Sequence, residues 1–307
     1  MTLDRNLPPV TQTSLFAPEP GTVPAKPAGR LPARMRVLIT VKAAPNPSQT
    51  YGETVCVAGL RLDLENAGWV RLYPINFREL GEGSKFKKYD VVSVTARPNP
   101  GDPRAESWRP EMDTLAVETH LRAWRPRQAY INDYIEGTMC GLIEAVRASP
   151  PARSLAAIRP RQVTGIDIEP HPGWDAEEQR KIDQYVNQLE FPELSRGPKT
   201  PLEAPRFRGW YRYLCGAPGC REHRQGIYDW EWVALQRNLA TLGDAELREA
   251  LRKKFLGEIC APHHPGTSCS MSAISSSTRR VSWSSACSGL RARRQPGRPR
   301  GAGAAPG

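Results

Sequence analysis

Thr54-Val-Cys-Val-Ala-Gly-Leu60, followed after Asn66-Ala-Gly68 by Trp69-Val-Arg-Leu-Tyr-Pro74, decides how the first half of this chain is read. Both runs are rich in β-branched and aromatic residues, which suit a pleated, half-buried surface, and the glycine-containing gap fits a hairpin loop. Outward from that hairpin, Arg36 to Val41 and Tyr89 to Ala96 have the same composition and are set off from it by Gly, Pro and Asn. Four short strands at such spacing predict a small barrel.

Further on, Arg127 to Val146 places Ile131, Ile135, Met139, Leu142, Ile143 and Val146 at mostly three- and four-residue steps. That period predicts an amphipathic helix packed on the first barrel or bridging two units. Ser149-Pro150-Pro151 marks a boundary. Beyond it, Arg161 to Glu169 and Phe207 to Leu214 read as strands, and Asp175 to Leu189, Asp229 to Leu242 and Ala245 to Ile259 as helices, with Asp244 as an N-cap. The expected division is a Pro-rich disordered leader over 1–33, a barrel unit with its helix over 34–149, a second α+β unit over 150–262 and a disordered tail over 263–307.

The formal charge of +11 invites a nucleic-acid partner, but its distribution weakens that inference. Seven arginines and no Lys, Asp or Glu follow residue 262, and residues 1–33 carry +1, so the body from Arg34 to Pro262 carries only about +3. The tail joins ten serines to Arg, Gly, Ala and Pro, a composition that GC-rich coding DNA gives when read out of frame. One compatible neighbouring frame from about Gly266 to Leu290 reads RHLLFYVGNQQQHPASFLVLGLFWP, two β-rich apolar runs around a polar turn. A shifted frame is therefore expected there, the alternative being a natural basic tail that touches nucleic acid nonspecifically. No window has the length and apolarity of a membrane span, and Asp4 and Arg5 interrupt any secretion signal, so a cytoplasmic chain is expected. Seven scattered cysteines fit reduced thiols or a metal site better than a disulfide framework.

The sharpest local motif is Cys215-Gly-Ala-Pro-Gly-Cys220-Arg-Glu-His223. A Gly/Pro knuckle lets two thiolates converge while a nearby imidazole adds a third ligand, so Cys215, Cys220 and His223 are candidate ligands of a structural zinc. Cys260, His263 and His264 are candidates for the fourth position, or water fills it; two free thiols and a loop histidine are the plainer reading. Just downstream, Asp229 and Glu231 open a helix, where carboxylates favour the positive end of its dipole. A sharper alternative makes His223, Asp229 and Glu231 the ligands of a divalent ion in a nuclease.

Arg206, Arg208 and Arg212 alternate with Phe207, Trp210, Tyr211 and Tyr213, a mixture that serves base stacking with phosphate neutralisation or an ordinary amphipathic strand. Arg71, Arg78, Lys85, Lys87 and Lys88 form a similar set with Trp69, Tyr73 and Phe77 in the first unit. There is no Gly-rich phosphate loop, nucleophile elbow or His-Glu-x-x-His helix, and no catalytic residue is assigned in the leading reading.

The runs Thr54 to Leu60, Gly68 to Pro74 and Phe86-Lys-Lys-Tyr-Asp90 resemble those of bacterial proteins with a dual OB-containing domain. The resemblance covers about Met35 to Ala96 and implies tandem OB-like barrels and, by analogy, nucleic-acid binding in mobile-element or defence settings. The second half resembles segments of uncharacterised bacterial proteins that carry a Gly-Asn and His-Pro strand near the C-terminus, features the neighbouring-frame string has. The expected fold class is thus α+β, with two small β-rich, OB-like units, connecting helices and disordered tails. The expected function is a nucleic-acid-binding module with a structural zinc knuckle, contacts at Arg71, Lys87, Lys88, Arg206, Arg208 and Trp210, and protein partners open. A metal-dependent nuclease and a protein-interaction scaffold are the alternatives.

Overall fold

The computed structural model describes residues 31–63, 68–77, 80–81, 85–102, 104–135, 137–148, 154–187, 199–258, 271–275 and 281–285. The leader expected to be disordered lies almost wholly outside the described residues, as do Cys260, His263 and His264. No helix among the described residues is long and apolar enough to cross a membrane.

The architecture is α+β, as expected, and is built on two sheets. The first comprises β1 (Ala33–Lys42), β2 (Asn46–Ser48), β3 (Gly52–Arg61), β4 (Trp69–Ile75), β5 (Asp90–Pro98) and β6 (Ser107–His120). β1 is long enough to pair antiparallel with β5 along its first half and with β3 along its second. β3 pairs with β4 and β5 with β6, both antiparallel, while β4 runs parallel to β6. The sheet therefore closes as β1-β3-β4-β6-β5-β1, the five-stranded Greek-key barrel of OB type, with β2 added at the edge of β3. Val37, Val55, Val57, Val70, Leu72, Val92 and Val94 fill its interior.

The second sheet holds β7 (Leu155–Ile158), β8 (Gln162–Pro170), β9 (Phe207–Leu214), β10 (His223–Ile227), β11 (Met271–Ser275) and β12 (Val281–Ser285). Its order is β8-β9-β10-β12-β11-β7, with β12 parallel to β10 and the other pairs antiparallel. β7 and β8 are nearly continuous, so one stretch of chain borders both ends of the sheet. Counted from that stretch, the pairing order repeats that of the first barrel. The tail expectation is corrected at β11 and β12, which are inner strands of this sheet; the rest of 259–307 lies outside the described residues.

The helices are α1 (Trp124–Ile131), α2 (Met139–Ala148), α3 (Ala176–Val186), α4 (Trp230–Asn238) and α5 (Asp244–Arg252). The single helix expected over Arg127 to Val146 is two. Ile135 turns extended and bridges to Ala157 of β7, and Gly137 takes a left-handed φ of 66°, so the chain breaks between α1 and α2. The periodicity was real on both sides of the break, but its two parts face different cores. Ile131 packs between the units, whereas Met139, Leu142 and Ile143 join the core of the second. α2 thus belongs with the second unit rather than the first.

α3 begins with a full capping box: Asp175 accepts from the backbone N–H groups of Glu177 and Glu178, and Glu178 accepts from that of Asp175. α5 starts one residue earlier than expected, with Gly243 at the cap and Asp244 in the first turn. α4 is pinned to β9 by Trp232, whose Nε1 donates to the Phe207 carbonyl at 2.9 Å, and by Gln236, which both donates to and accepts from Phe207. Gly209 makes that approach possible, since a Cβ there would sit 2.6 Å from the Trp232 ring.

The two units share a third apolar cluster. Ala58, Leu60 and Trp69 on the outer face of β3 and β4, with Val41 and Tyr89, pack against Ile131, Leu155 and Ala157. Ala43 bridges to Asp229 across the same seam.

Candidate metal centre

β9 ends at Leu214 and the chain turns through Cys215 to Glu222 before β10 returns antiparallel. Two left-handed residues shape the knuckle, Gly219 at φ 69° and Glu222 at φ 81°. For a glutamate that conformation costs on the order of 1–3 kcal/mol, a strain of the kind that clusters at functional sites. It sits immediately before His223 and aims that residue inward. The Glu222 carboxylate is held by the Thr164 hydroxyl on β8.

Cys215, Cys220 and His223 come together as expected, and Cys140, at the start of α2, joins them. All four ligand atoms lie within 4.8 Å of one another. Cys215 Sγ is 3.6 Å from Cys140 Sγ, and His223 Nε2 is 3.4 Å from each of these sulfurs. With Zn–S bonds of about 2.3 Å, tetrahedral geometry spaces two sulfurs by roughly 3.8 Å and a sulfur and a nitrogen slightly less. The three separations among Cys140, Cys215 and His223 match the edges of such a tetrahedron, Cys220 lies within 4.8 Å of each of the three, and a Cys3His donor set is one zinc favours.

The electrostatics suit a cation. Burial pushes the Cys140 thiol up to about 12, with the neighbouring Cys215 sulfur adding to the rise. Burial also pushes against Cys215 ionising, but the backbone N–H of Ala217 and the hydrogen bonds from its neighbours outweigh it and bring that thiol down to about 6. One thiolate is ready at neutral pH, and a metal ion would supply the charge needed to ionise the rest. The Tyr213 ring, opposite His223 on β9, packs 5.1 Å from the imidazole, and its hydroxyl donates to Gln225.

Cys140 escaped sequence reasoning because it lies 75 residues before Cys215. The fourth-ligand candidates Cys260, His263 and His264 lie outside the described residues, and the described residues complete the set without them. The one available signal was that Cys140 opens the helix whose apolar residues needed a second core to pack on.

The nuclease triad is separated. His223 is bound up with the cysteines, while Asp229 is fully buried, accepts from Lys88 Nζ at 2.8 Å and caps α4 through the Glu231 N–H at 3.0 Å. Glu231 lies 3.4 Å from the same Lys88. Asp229 and Glu231 therefore serve a helix start and an ion pair between the two units, not a shared metal with His223.

The proposed nucleic-acid contacts divide the same way. Arg71 is buried and donates to Cys56 Sγ at 3.3 Å and to Ser154 Oγ at 2.9 Å, and Lys88 is buried with Asp229, so neither presents its charge at the surface. β4, which carries Arg71, supplies with β3 the outer face that the second unit covers, and Lys88 lies in the turn before β5. Lys87 is exposed. Arg206 pairs with Asp244, and Arg208 pairs with Glu169 at 3.4 Å. Arg208 and Trp210 lie on an open sheet face with Arg212 and Arg224, a residue the sequence reading passed over.

A family model described as Domain of unknown function (DUF8757) matches residues 135–290, half of the chain. The chain belongs to the DUF8757 family. All four candidate ligands fall inside the DUF8757 match, as do α2, β11 and β12. A second model, Domain of unknown function (DUF8758), matches residues 33–133, which spans the first barrel and α1. The junction between DUF8758 and DUF8757 falls just before α2, in agreement with the side on which that helix packs. No curated protein matches the chain in sequence.

Proposed function

We propose that this chain is a nucleic-acid-binding module in which a structural zinc holds the second barrel and the outer face of β8, β9 and β10 receives the strand. The observation that carries the reading is the setting of Trp210. The guanidinium carbons of Arg224 and Arg208 lie 3.9 Å and 5.0 Å from its ring centroid, and Arg212 stands two residues along on the same face. An indole flanked by guanidiniums offers what an unpaired base and its phosphate need, a stacking surface and delocalised cations.

Asp167 and Glu169 pair with these arginines, but all of the pairs are at the surface. Exposed ion pairs of this kind contribute about 0–1 kcal/mol, so phosphates compete for the guanidiniums at little cost. The zinc has a structural role here, because four protein ligands leave no open position for substrate.

Anisotropy of a labelled oligothymidine, titrated with the full chain over a salt series, tests the reading. Three displaced arginines give a slope of log K against log salt of roughly −2 for a single strand. A flat dependence, or no binding at low salt, would overturn it. Metal analysis of the purified chain should find stoichiometric zinc.

A further inference from the structure

A cleft of about 300 Å³ opens at one end of the Trp210 face, at the seam between the units. Its floor is the start of β9 and α4, through Phe207 and Trp232. One wall is the segment after β8, with His171 and Trp174, and the other is the link between β1 and β2 around Ala44 to Asn46. Both walls are connections between the first and second strands of a barrel, a loop type that frames the ligand in OB folds. Here two such loops line one cavity, and the backbone N–H of Ala44 donates to the Tyr228 carbonyl at 2.6 Å, tying the first loop to the turn between β10 and α4.

The polar groups of the cleft are prepared for a ligand with a planar body and a negative end. His171 Nδ1 accepts from the Gly173 N–H at 3.1 Å, which places the proton of the neutral ring on Nε2 as a donor. Burial, with Arg208 nearby, keeps that imidazole neutral by lowering its pKa. Trp174 meets His171 edge to face at 5.4 Å and is fixed by its Nε1 donating to Leu202. Of the three carboxylates that line the cleft, Asp175 and Glu178 are turned onto the backbone N–H groups that open α3, and Glu203 is exposed to solvent. Arg237 ion-pairs with no described residue, and Arg208, which packs over the Trp210 ring, makes among the described residues only the long ion pair to Glu169. Two guanidiniums therefore stand beside aromatic walls and an imidazole donor.

We infer that this cleft is a nucleotide site, taking one unpaired base against His171 and Trp174 with its phosphate on Arg208 and Arg237. The size fixes the unit: about 300 Å³ is the lower limit for small-molecule pockets and leaves no room for a second base. Arg208 belongs both to the cleft and to the Trp210 face, so a strand lying on that face ends in the cleft. The inference rests on the nucleic-acid reading for the strand, while a free nucleotide would satisfy the cleft alone.

The test uses the full chain with two probes, AMP followed by tryptophan quenching and labelled oligothymidine followed by anisotropy. His171→Leu and Arg237→Gln are the variants, accepted only if zinc content and thermal midpoint match the parent. Each should weaken both probes about tenfold, as losing a stacking partner or a charged hydrogen bond does. If oligothymidine binds parent and variants alike and AMP leaves the fluorescence unchanged, the cleft is not a nucleotide site although the strand-binding reading stands. If AMP binds and the variants lose it while oligothymidine fails to bind the parent, the cleft stands and the strand-binding reading falls. Failure of both probes with the parent overturns both.

Discussion

The two barrels share a strand order and differ in what becomes of one face. On the first, the outer face of the second and third barrel strands, β3 and β4, carries Ala58, Leu60, Trp69 and Arg71 and is covered by β7 and the end of α1. On the second, the outer face of β9 and β10, in the same places in the order, carries Arg208, Trp210, Arg212 and Arg224 and is open to solvent. Composition decides the outcome. β3 is apolar or small on both sides and nearly every residue is buried, as in a strand covered on two faces, whereas β9 alternates buried aromatics with exposed arginines. A common fold thus gives one barrel a covered face and the other an open one.

The comparison also separates how each barrel is held. The first relies on a valine-rich interior, while the second ties α2 to the β9–β10 turn through Cys140, Cys215, Cys220 and His223. Removing the proposed zinc is therefore the largest perturbation expected. Cys140→Ala, or a strong chelator, should abolish zinc binding and cost on the order of 5 kcal/mol or more, since structural zinc sites in small peptides bind with about 10–16 kcal/mol. Near-ultraviolet circular dichroism and limited proteolysis should then report loss of order after residue 135 with the DUF8758 region still protected. Equal loss in both regions would show that the barrels fold as one unit.

Next in size is the buried pair at the seam. The charge of Lys88 would be disfavoured by burial alone, but Asp229, with Tyr89 and Glu231 adding to it, raises its pKa and keeps the ammonium protonated. Lys88→Met leaves Asp229 buried without that partner and should cost about 3–5 kcal/mol in chemical denaturation, whereas Lys88→Met combined with Asp229→Asn should recover part of it. No recovery would place the loss in lysine packing rather than charge.

Much of this was legible in the sequence and some was not, for physical reasons. β1, β3, β4, β5, β8 and β9 show β-branched or alternating runs that a two-residue period reveals. β10, with His, Arg, Gln and Gly before its final Ile, has no such pattern, because Gly226 and Gln225 are buried by pairing opposite Trp210 and Tyr211. Cys215, Cys220 and His223 are local, so their spacing could be read; Cys140 is brought in only by the fold. Arg71 and Lys88 have the composition of a binding surface, and only the docking of a second unit makes them interior. Met271 to Ser275 and Val281 to Ser285 are serine-rich, yet they occupy the inner positions of the second sheet, where apolar strands are expected. We retain a shifted frame as a proposal, noting that the neighbouring-frame string has its apolar runs at about these positions, while the DUF8757 match runs to residue 290. Sequencing the gene decides it, and one intact frame with ordinary codon use would dismiss it.

A smaller effect is expected from Lys42, at the end of β1, whose ammonium sits 3.1 Å from the Phe77 ring centroid and 5.1 Å from that of Trp230 across the seam. Burial lowers its pKa from 10.5 to about 8, opposed by Glu53 and Asp229 and assisted by Lys85. The unfolded chain therefore holds this proton more tightly than the folded one between those values. Folding stability gains from this group as pH rises from about 8 to 10.5, and the penalty is fully present below about 8. The shift is worth about 3 kcal/mol at most, and the cation–π contact offsets part of it. Lys42→Met should flatten the stability profile in that window; an unchanged slope would assign it to other groups.

The smallest effects separate the two faces most directly. Arg71 and Arg224 both stand on the outer side of the third strand of their barrels, and one is sealed in while the other pairs with Asp167 and Glu169 at the surface. Arg71→Met should destabilise the chain by about 1–3 kcal/mol, because it withdraws a donor from buried Ser154 and from the partly buried Cys56 beside it, and should leave oligothymidine affinity unchanged. Arg224→Met removes only exposed ion pairs and should cost about 1 kcal/mol or less, but it takes one guanidinium from Trp210 and so should weaken oligothymidine severalfold and reduce the salt slope by roughly 0.7. Denaturation and anisotropy on the same two variants form a crossed comparison. Were Arg71→Met to reduce binding and Arg224→Met to spare it, the covered face would have to open for ligand, and the assignment of a docking barrel and a binding barrel would be reversed.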